Sequence, residues 1–480
     1  MEKEDPTVLP ASDKTEIKAQ KIQTEALYAR RKKIHPRSVK GVFASWRWIL
    51  VWVTQLVFYG APWLHWNDRQ AVLFHLAERK FYIFGLVFWP QDVFFLALLL
   101  IISALALFLF TTIAGRLWCG YACPQTVYTE IFLWFEEKIE GDRLRRIRLD
   151  AAPLSGRKIA IKSLKYFVWG AFSLWTGFTF VSYFTPVKEL LTEVASFQLS
   201  GWETFWVLFY SGFTYLFAGV MREQVCKYMC PYARFQSVMF DADTMVITYD
   251  KTRGEPRGAR KKNADPASLG KGDCVDCGIC VQVCPTGIDI RNGLQYECIG
   301  CAACIDACDE VMVKMNYPKG LIRYTTENAM SKRWGRQEIL KHIRRPRTLG
   351  YSAVLSIVCL GFAAGLFFRV PLSVDVIRDR SAFSREAEDG RIENSFRLEI
   401  MNKHEHAREF SLQVSGLEGI EIVGTQKVKV ESAYNHSVAI QVRVAPSVKP
   451  KGSYPVTFKV TALDDPSVVR QTDSKFIISD

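Results

Sequence analysis

The sequence predicts a multi-domain integral membrane protein: an α-helical bundle of about five transmembrane helices, a cysteine-rich cytoplasmic domain, and a C-terminal immunoglobulin-like β-sandwich. Three observations lead there. Five long apolar runs interrupt a polar chain, eight of the 13 cysteines fall within 274–308, and residues 371–480 hold short alternating stretches between turn signals. At 480 residues the chain is long enough for several folded units. An aromatic content of 13% excludes a disordered chain, and the apolar runs exclude an ordinary soluble enzyme. Bunched cysteines point to metal rather than to the dispersed disulfides of a secreted protein.

Residues 1–45 form a basic N-terminal segment, with Lys14, Lys18, Lys21, Arg30, Arg31, Lys32 and Lys33 among its cations. A four-helix membrane region follows over 46–240. A crossing helix needs about 20 apolar residues, and the runs at 46–66, 91–114, 166–186 and 202–221 qualify, as does a fifth at 349–368. The shorter run 81–90, ending at Pro90, reads as an interfacial or re-entrant piece leading into the second span. None of the runs has the flanks of a cleaved signal peptide.

Positive charge sets the orientation. Lys and Arg crowd 1–47 and 116–165, while 187–201 carries only Lys188. The N-terminus, the 115–165 loop and 222–348 therefore face the cytoplasm, and 370–480 the outer side. The net charge of +13 is thus a topology signal that also suits anionic lipid headgroups, and nucleic acid is not an expected partner. Alternating stretches in 371–480, including Phe396–Met401, Glu409–Val414, Ile420–Val423, Val428–Val430, Val438–Val444 and Tyr454–Val460, give the sandwich. The sandwich has no cysteine, and a packing or partner-docking role without chemistry is expected of it.

The strongest chemical signal lies in the cytoplasmic domain, 241–348. Cys274, Cys277, Cys280 and Cys284-Pro285 are followed by Cys298, Cys301, Cys304 and Cys308, the C-x2-C-x2-C-x3-C run written twice. In bacterial ferredoxins this run holds two [4Fe–4S] clusters, the fourth cysteine of each ligating the other cluster. One cluster is therefore assigned to Cys274, Cys277, Cys280 and Cys308, and the second to Cys298, Cys301, Cys304 and Cys284. Zinc needs only four thiolates and has no use for triplets with a distant fourth ligand. Asp309 follows Cys308 where Pro285 follows Cys284, a departure expected to loosen one turn.

A second signal is a repeat. Arg116-Leu-Trp-Cys119-Gly-Tyr-Ala-Cys123-Pro124 follows the second span, and Arg222-Glu-Gln-Val-Cys226-Lys-Tyr-Met-Cys230-Pro231 follows the fourth. If each motif continues its helix, its two cysteines share a face. Two such hairpins packed about a pseudo-twofold bring Cys119, Cys123, Cys226 and Cys230 together beside the ferredoxin loop, with Met229 as a thioether. Soft sulfur suits Cu(I), zinc or an iron–sulfur centre, or the thiols serve as a redox dithiol. Buried thiols also pack as small hydrophobes, which is the expectation for Cys359, alone in the fifth span. None of the seven histidines lies mid-span, which argues against b-type haem, and His65 and His75 suit an interfacial place. No nucleotide or c-type haem motif is present.

Together with WCGYACPQTVYTE, CKYMCPYARFQSVMFD and a tail opening DRSAF…DGRIENSFRLEIMN, this order of elements resembles the CcoG/FixG/RdxA family of cbb3-type cytochrome c oxidase accessory proteins. The resemblance implies a multi-pass protein of the bacterial inner membrane, with copper carriers or oxidase assembly factors as partners. The implied task is cupric reduction, Cu(II) to Cu(I), during assembly of the oxidase, with the four C-x3-C-P cysteines as the copper or redox site. Related quinol-dehydrogenase proteins share the C-x3-C-P and ferredoxin elements. A quinol-to-protein electron conduit and a redox-sensing assembly scaffold therefore stay open, as does a cytoplasmic or quinol electron donor.

Overall fold

The computed structural model describes residues 33–479 apart from 263–264, 266, 380–383, 388 and 446–449. The cations expected at 14–32 and most of the DRSAF segment lie outside the described residues.

Among the described residues, four helices are long and apolar enough to cross a membrane: Val42–Trp63, Pro90–Ala114, Gly201–Met221 and Pro346–Phe367. The expected third span, 166–186, falls on the 26-residue helix Gly156–Val181, which is not among the four. Its apolar content is diluted by Ser173, Thr176 and Thr179, all buried against neighbouring helices. At Gly177 the helix meets Ser211 of Gly201–Thr214 so closely that a Cβ would sit 2.2 Å from the Ser211 hydroxyl. Small residues at such a crossing let helix backbones approach.

The segment 81–90 is mostly β-structure. Strands Val72–His75, Lys80–Ile83 and Leu86–Phe88 form an antiparallel sheet, with Gly85 at its second turn. Alternation places Leu73, Tyr82 and Val87 inward, where they pack with Trp89 and with Met401 of the C-terminal domain.

The C-terminal domain is a two-sheet sandwich. One sheet runs Glu421–Val423, Asn435–Val444, Ile392–Asn402, Leu372–Arg378, and the other Lys427–Val430, Arg408–Ser415, Gly452–Ala462, Val469–Ile478. All six expected stretches fall on strands, and Leu372–Arg378 and Val469–Ile478 are additional. Phe396, Phe410, Phe458 and Phe476 fill the core, each buried ring contributing about 2–3 kcal/mol.

The sandwich and the cysteine-rich module sit at opposite ends of the antiparallel helices Val93–Ala114 and Pro346–Phe367. At one end Asp92 accepts from Arg369 (2.6 Å) and from Lys403 of the sandwich (2.8 Å). At the other, Arg345 donates to the Thr112 carbonyl (2.8 Å) and pairs with Asp241. There Val246–Tyr249 and Ile322–Thr325 pair antiparallel and bracket the cysteine loops.

Candidate iron–sulfur and thiol sites

The two cysteine runs fold alike. Asp276 (φ 52°) and Gly300 (φ 71°) hold equivalent positions, as do Gly278 (φ 64°) and Ala302 (φ 59°). Each middle cysteine, Cys277 or Cys301, is thus flanked by two left-handed residues. Such backbone turns its N–H groups into one concavity, an anion-binding nest used at iron–sulfur sites. Glycine at 278 and 300 adopts this freely, whereas Asp276 and Ala302 each cost about 1–2 kcal/mol. Helices Ile279–Gln282 and Ala303–Lys314 start directly after the loops.

The structure gathers the cysteines in two groups. Cys274, Cys277, Cys280 and Cys308 line one small cavity, with Tyr249 and Met312 behind them. Cys284, Cys298, Cys301 and Cys304 line a second, walled by Ile247, Ile288 and Ile290, and Cys280 borders both cavities. Each group takes its fourth cysteine from the other run. The expected loosened turn is absent: where Pro285 follows the first run, Asp309 lies inside helix Ala303–Lys314, which continues past Cys308, and its carboxylate accepts from the Gly320 N–H at 2.8 Å.

The C-x3-C-P motifs differ from expectation in their local structure. Cys119 lies on the short helix Leu117–Tyr121, but Cys123 is the extended N-cap of a new helix, Pro124–Glu140. Cys226 lies in a π-helical turn, Val225–Met229, and Cys230 caps the helix Pro231–Met239 in the same extended conformation. The cause is the proline, which suits the first position of a helix and cannot continue the preceding one. The two thiols of a motif therefore do not share one helical face.

The arginines are also not equivalent. Gly115 (φ 54°, ψ −117°) and Arg222 (φ 46°, ψ −113°) share one unusual conformation, each four residues before the first cysteine. For a non-glycine residue such backbone is strained. Arg222 holds it with side-chain bonds to the Gly219 carbonyl (2.8 Å) and Glu136 (2.7 Å). Arg116 instead bridges the cluster loop and the helix Pro231–Met239, donating to the carbonyls of Tyr296 and Cys298 in the first and of Ala233 in the second.

Thiols and cluster loop meet at backbone contact. Cys119 and Cys226 pack against a buried patch that includes Cys301 and Ile299. A Cβ on Gly120 would lie 2.9 Å from the Cys301 Cα, so only glycine fits. Arg47, near the start of the first span, donates to the Cys301 carbonyl at 2.9 Å. Asp306 accepts from the N–H groups of Phe43 (3.2 Å) and Ala44 (2.7 Å), docking that span's N-terminus on the module. A cavity of about 130 Å³ opens beside this junction, lined by Arg47, Trp48, Glu130, Trp134, Cys226 and Cys301.

Gly120, Arg47, Asp306 and Glu136 escape a motif search. Gly120 alone had a signal, as the one residue of the first motif without a side chain. Glu136, on Pro124–Glu140, is buried among Arg222, Arg146 (3.1 Å) and Lys165 (3.6 Å). His65, His75 and Met229 are exposed or half-buried, and Met229 lies on the Cys226 turn.

Comparison with known proteins decides the family. A 4Fe-4S dicluster domain matches residues 221–327, a 4Fe-4S binding domain matches 96–141, and the IG-like fold at the C-terminal of FixG matches 362–479. The nitrogen fixation protein FixG of Rhizobium meliloti (strain 1021) is 40% identical over 424 residues, covering 82% of this chain and 80% of its own. Protein RdxA of Cereibacter sphaeroides is 39% identical over 452 residues, covering 92% and 94%. The chain belongs to the FixG/RdxA family. The crystal structure of a FixG-related protein from Vibrio parahaemolyticus is similar to 22% of this chain, over 95% of its own length, at 25% identity and a TM-score of 0.21.

As a FixG/RdxA relative with 4Fe–4S domains and four apolar helices, the chain is a membrane iron–sulfur protein that acts in electron transfer. The residues present fit the group. Burial pushes the thiols of Cys298 and Cys308 up to about 12, and that of Cys280 to about 11. A thiolate persists in such surroundings only when a cation holds it. Burial also raises Cys119 and Cys226 to about 12, each further raised by the neighbouring Cys123. The four C-x3-C-P thiols thus share one neighbourhood. Among the described residues no three His, Cys, Asp or Glu side chains stand close enough for a single metal ion. A cubane asks for something different, one thiolate on each of four irons.

Proposed function

We propose that the chain reduces Cu(II) to Cu(I) at Cys119, Cys123, Cys226 and Cys230, for assembly of a cbb3-type oxidase in the bacterial inner membrane. Two [4Fe–4S] centres supply single electrons when bound, one held by Cys274, Cys277, Cys280 and Cys308, the other by Cys298, Cys301, Cys304 and Cys284. The observation that carries the reading is the contact between Gly120 and the Gly300–Cys301 backbone, which sets soft thiols directly against one cysteine group. One electron converts Cu(II) to Cu(I), and sulfur ligands favour the reduced ion. The excess of Lys and Arg near the ferredoxin module supports a cytoplasmic place for it and a periplasmic one for the sandwich.

The test is anaerobic, with dithionite-reduced, desalted protein, Cu(II), and a chromogenic Cu(I) chelator. Cys226→Ser and Cys230→Ser should keep their iron and lose Cu(I) formation. If both reduce copper at the wild-type rate while Cys284→Ser abolishes it, the thiols are packing residues. A quinol-to-protein conduit is the second reading, favoured by the cavity between Trp48, Trp134, Cys226 and Cys301. Reduced protein that passes no electrons to copper yet is reduced by a soluble quinol would replace the first reading with it.

A further inference from the structure

The two cysteine groups face different surroundings. Arg47, Arg116 and Asp306 tie the 296–306 loop to the helix ends, and Cys301 is buried there. Cys277 is instead exposed, with Asp276 exposed beside it. Along this free side runs Lys251–Lys262, KTRGEPRGARKK, with six basic residues and one acidic. Backbone bonds lay it against the Cys274 loop: Asp273 N to Arg253 O (2.8 Å), Gly272 N to Pro256 O (2.9 Å), and Gly258 N to Cys274 O (3.2 Å).

Part of the local charge is neutralised. Arg253 pairs with Asp273, and Arg291 with Asp276 and Asp289 (2.7 Å). Across 251–277 seven basic residues still face four acidic ones, and Lys251, Arg257, Lys261 and Lys262 are exposed. Leu269 adds an exposed apolar contact, 51% accessible. Exposed basic side chains on a segment laid along the Cys274 loop, with Leu269 and Cys277 also exposed, offer a surface on which an acidic protein can dock and be steered.

We propose that this face docks an acidic one-electron carrier protein, with Lys251, Arg257, Lys261, Lys262 and Lys271 as the rim and Cys277 at its centre. The reduced carrier would lose one electron to the [4Fe–4S] centre that Cys274, Cys277, Cys280 and Cys308 would hold, with no bond or proton moved. The inference rests on the electron-transfer reading above and supplies its donor.

The test uses the full-length holoprotein in nanodiscs of neutral lipid, with a flavodoxin as the acidic probe. Binding should weaken about tenfold or more between 50 and 200 mM salt, as for other steered charge-paired contacts. Lys261→Glu/Lys262→Glu/Lys271→Glu should weaken it about tenfold at low salt with iron content unchanged, while Lys188→Glu leaves it unchanged. Flavodoxin that fails to bind, binds without salt dependence, or binds the triple variant as wild type overturns the proposal. So does a variant that loses only its affinity for phosphatidylglycerol vesicles, which would assign the basic face to lipid. The two proposals fail separately. Flavodoxin binding without Cu(II) reduction sinks the cupric reading alone, and Cu(II) reduction from dithionite without flavodoxin binding sinks the docking face alone.

Discussion

A Cβ atom on Gly120 would stand 2.7 Å from the carbonyl oxygen of Gly300, closer than any real methyl can approach. The neighbour is backbone, held by its own bond from the Tyr324 hydroxyl and by its place in the nest. Neither side can give way cheaply.

Gly120→Ala should therefore destabilise the junction by about 1–3 kcal/mol, the usual cost of forcing a methyl into a packed interior. The melting of the iron–sulfur absorbance is the measurement. Gly212→Ala is the control, since nothing lies within 4 Å of its Cβ position. Equal melting of Gly120→Ala and wild type would refute close packing of the two loops.

Glu136 gives an acid-sensitive component of stability. Burial alone would raise its carboxyl, but Arg222 first, then Lys165 and Arg146, bring it down from 4.5 to about 2. A depressed carboxylate contributes stability that is complete above pH 4.5 and fades as pH falls toward 2. Glu136→Gln should flatten the fall in melting temperature over that window. At neutral pH it should cost about 3–5 kcal/mol, because three cations are left around an uncharged amide.

Iron content tests the double run. Anaerobically purified protein should carry about eight irons per chain, with a broad band near 400 nm that dithionite bleaches. Because each cavity takes one cysteine from the other run, Cys284→Ser and Cys308→Ser should each cost about one cluster, and different ones by EPR. Four irons or fewer in the wild type, or zinc in their place, would refute the assignment.

Orientation is tested with alkaline phosphatase fusions. From the distribution of Lys and Arg, a fusion after Asp480 should be active and one after Gly320 silent. The reverse pattern would place the cysteine module in an oxidising compartment.

The cysteine groups were legible because ligand spacing is a local property. The loop from Cys274 to Cys284 folds by its own turn residues, and the family of the chain could be named from its motifs. The sandwich was legible because period-2 alternation survives in one-sided sheets, although Leu372–Arg378 and Val469–Ile478 are strands beyond the expected stretches. The C-x3-C-P geometry is not legible from i, i+4 spacing, because Pro124 and Pro231 each start a new helix and leave Cys123 and Cys230 as extended caps. Helix Gly156–Val181 carries the third expected run, but its buried Lys165, paired with Glu136 and Glu140, and its buried Ser173, Thr176 and Thr179 dilute the apolar stretch. Length and composition alone therefore do not mark it as a span. Contacts such as Arg116 with Cys298, or Asp306 with Ala44, join residues more than 180 positions apart and leave no periodic trace.

Asp92 has a consequence for the order in which the molecule is made. Its partners Arg369 and Lys403 are synthesised 277 and 311 residues later. When the second apolar helix first enters the bilayer, its leading carboxylate has neither counter-charge, and a buried unpaired ion is costly. The hairpin therefore stays provisional until the last helix threads back and the sandwich closes over it. A chain stopped before Arg369 leaves Asp92 with neither partner, and one stopped between Arg369 and Lys403 leaves it with one of the two.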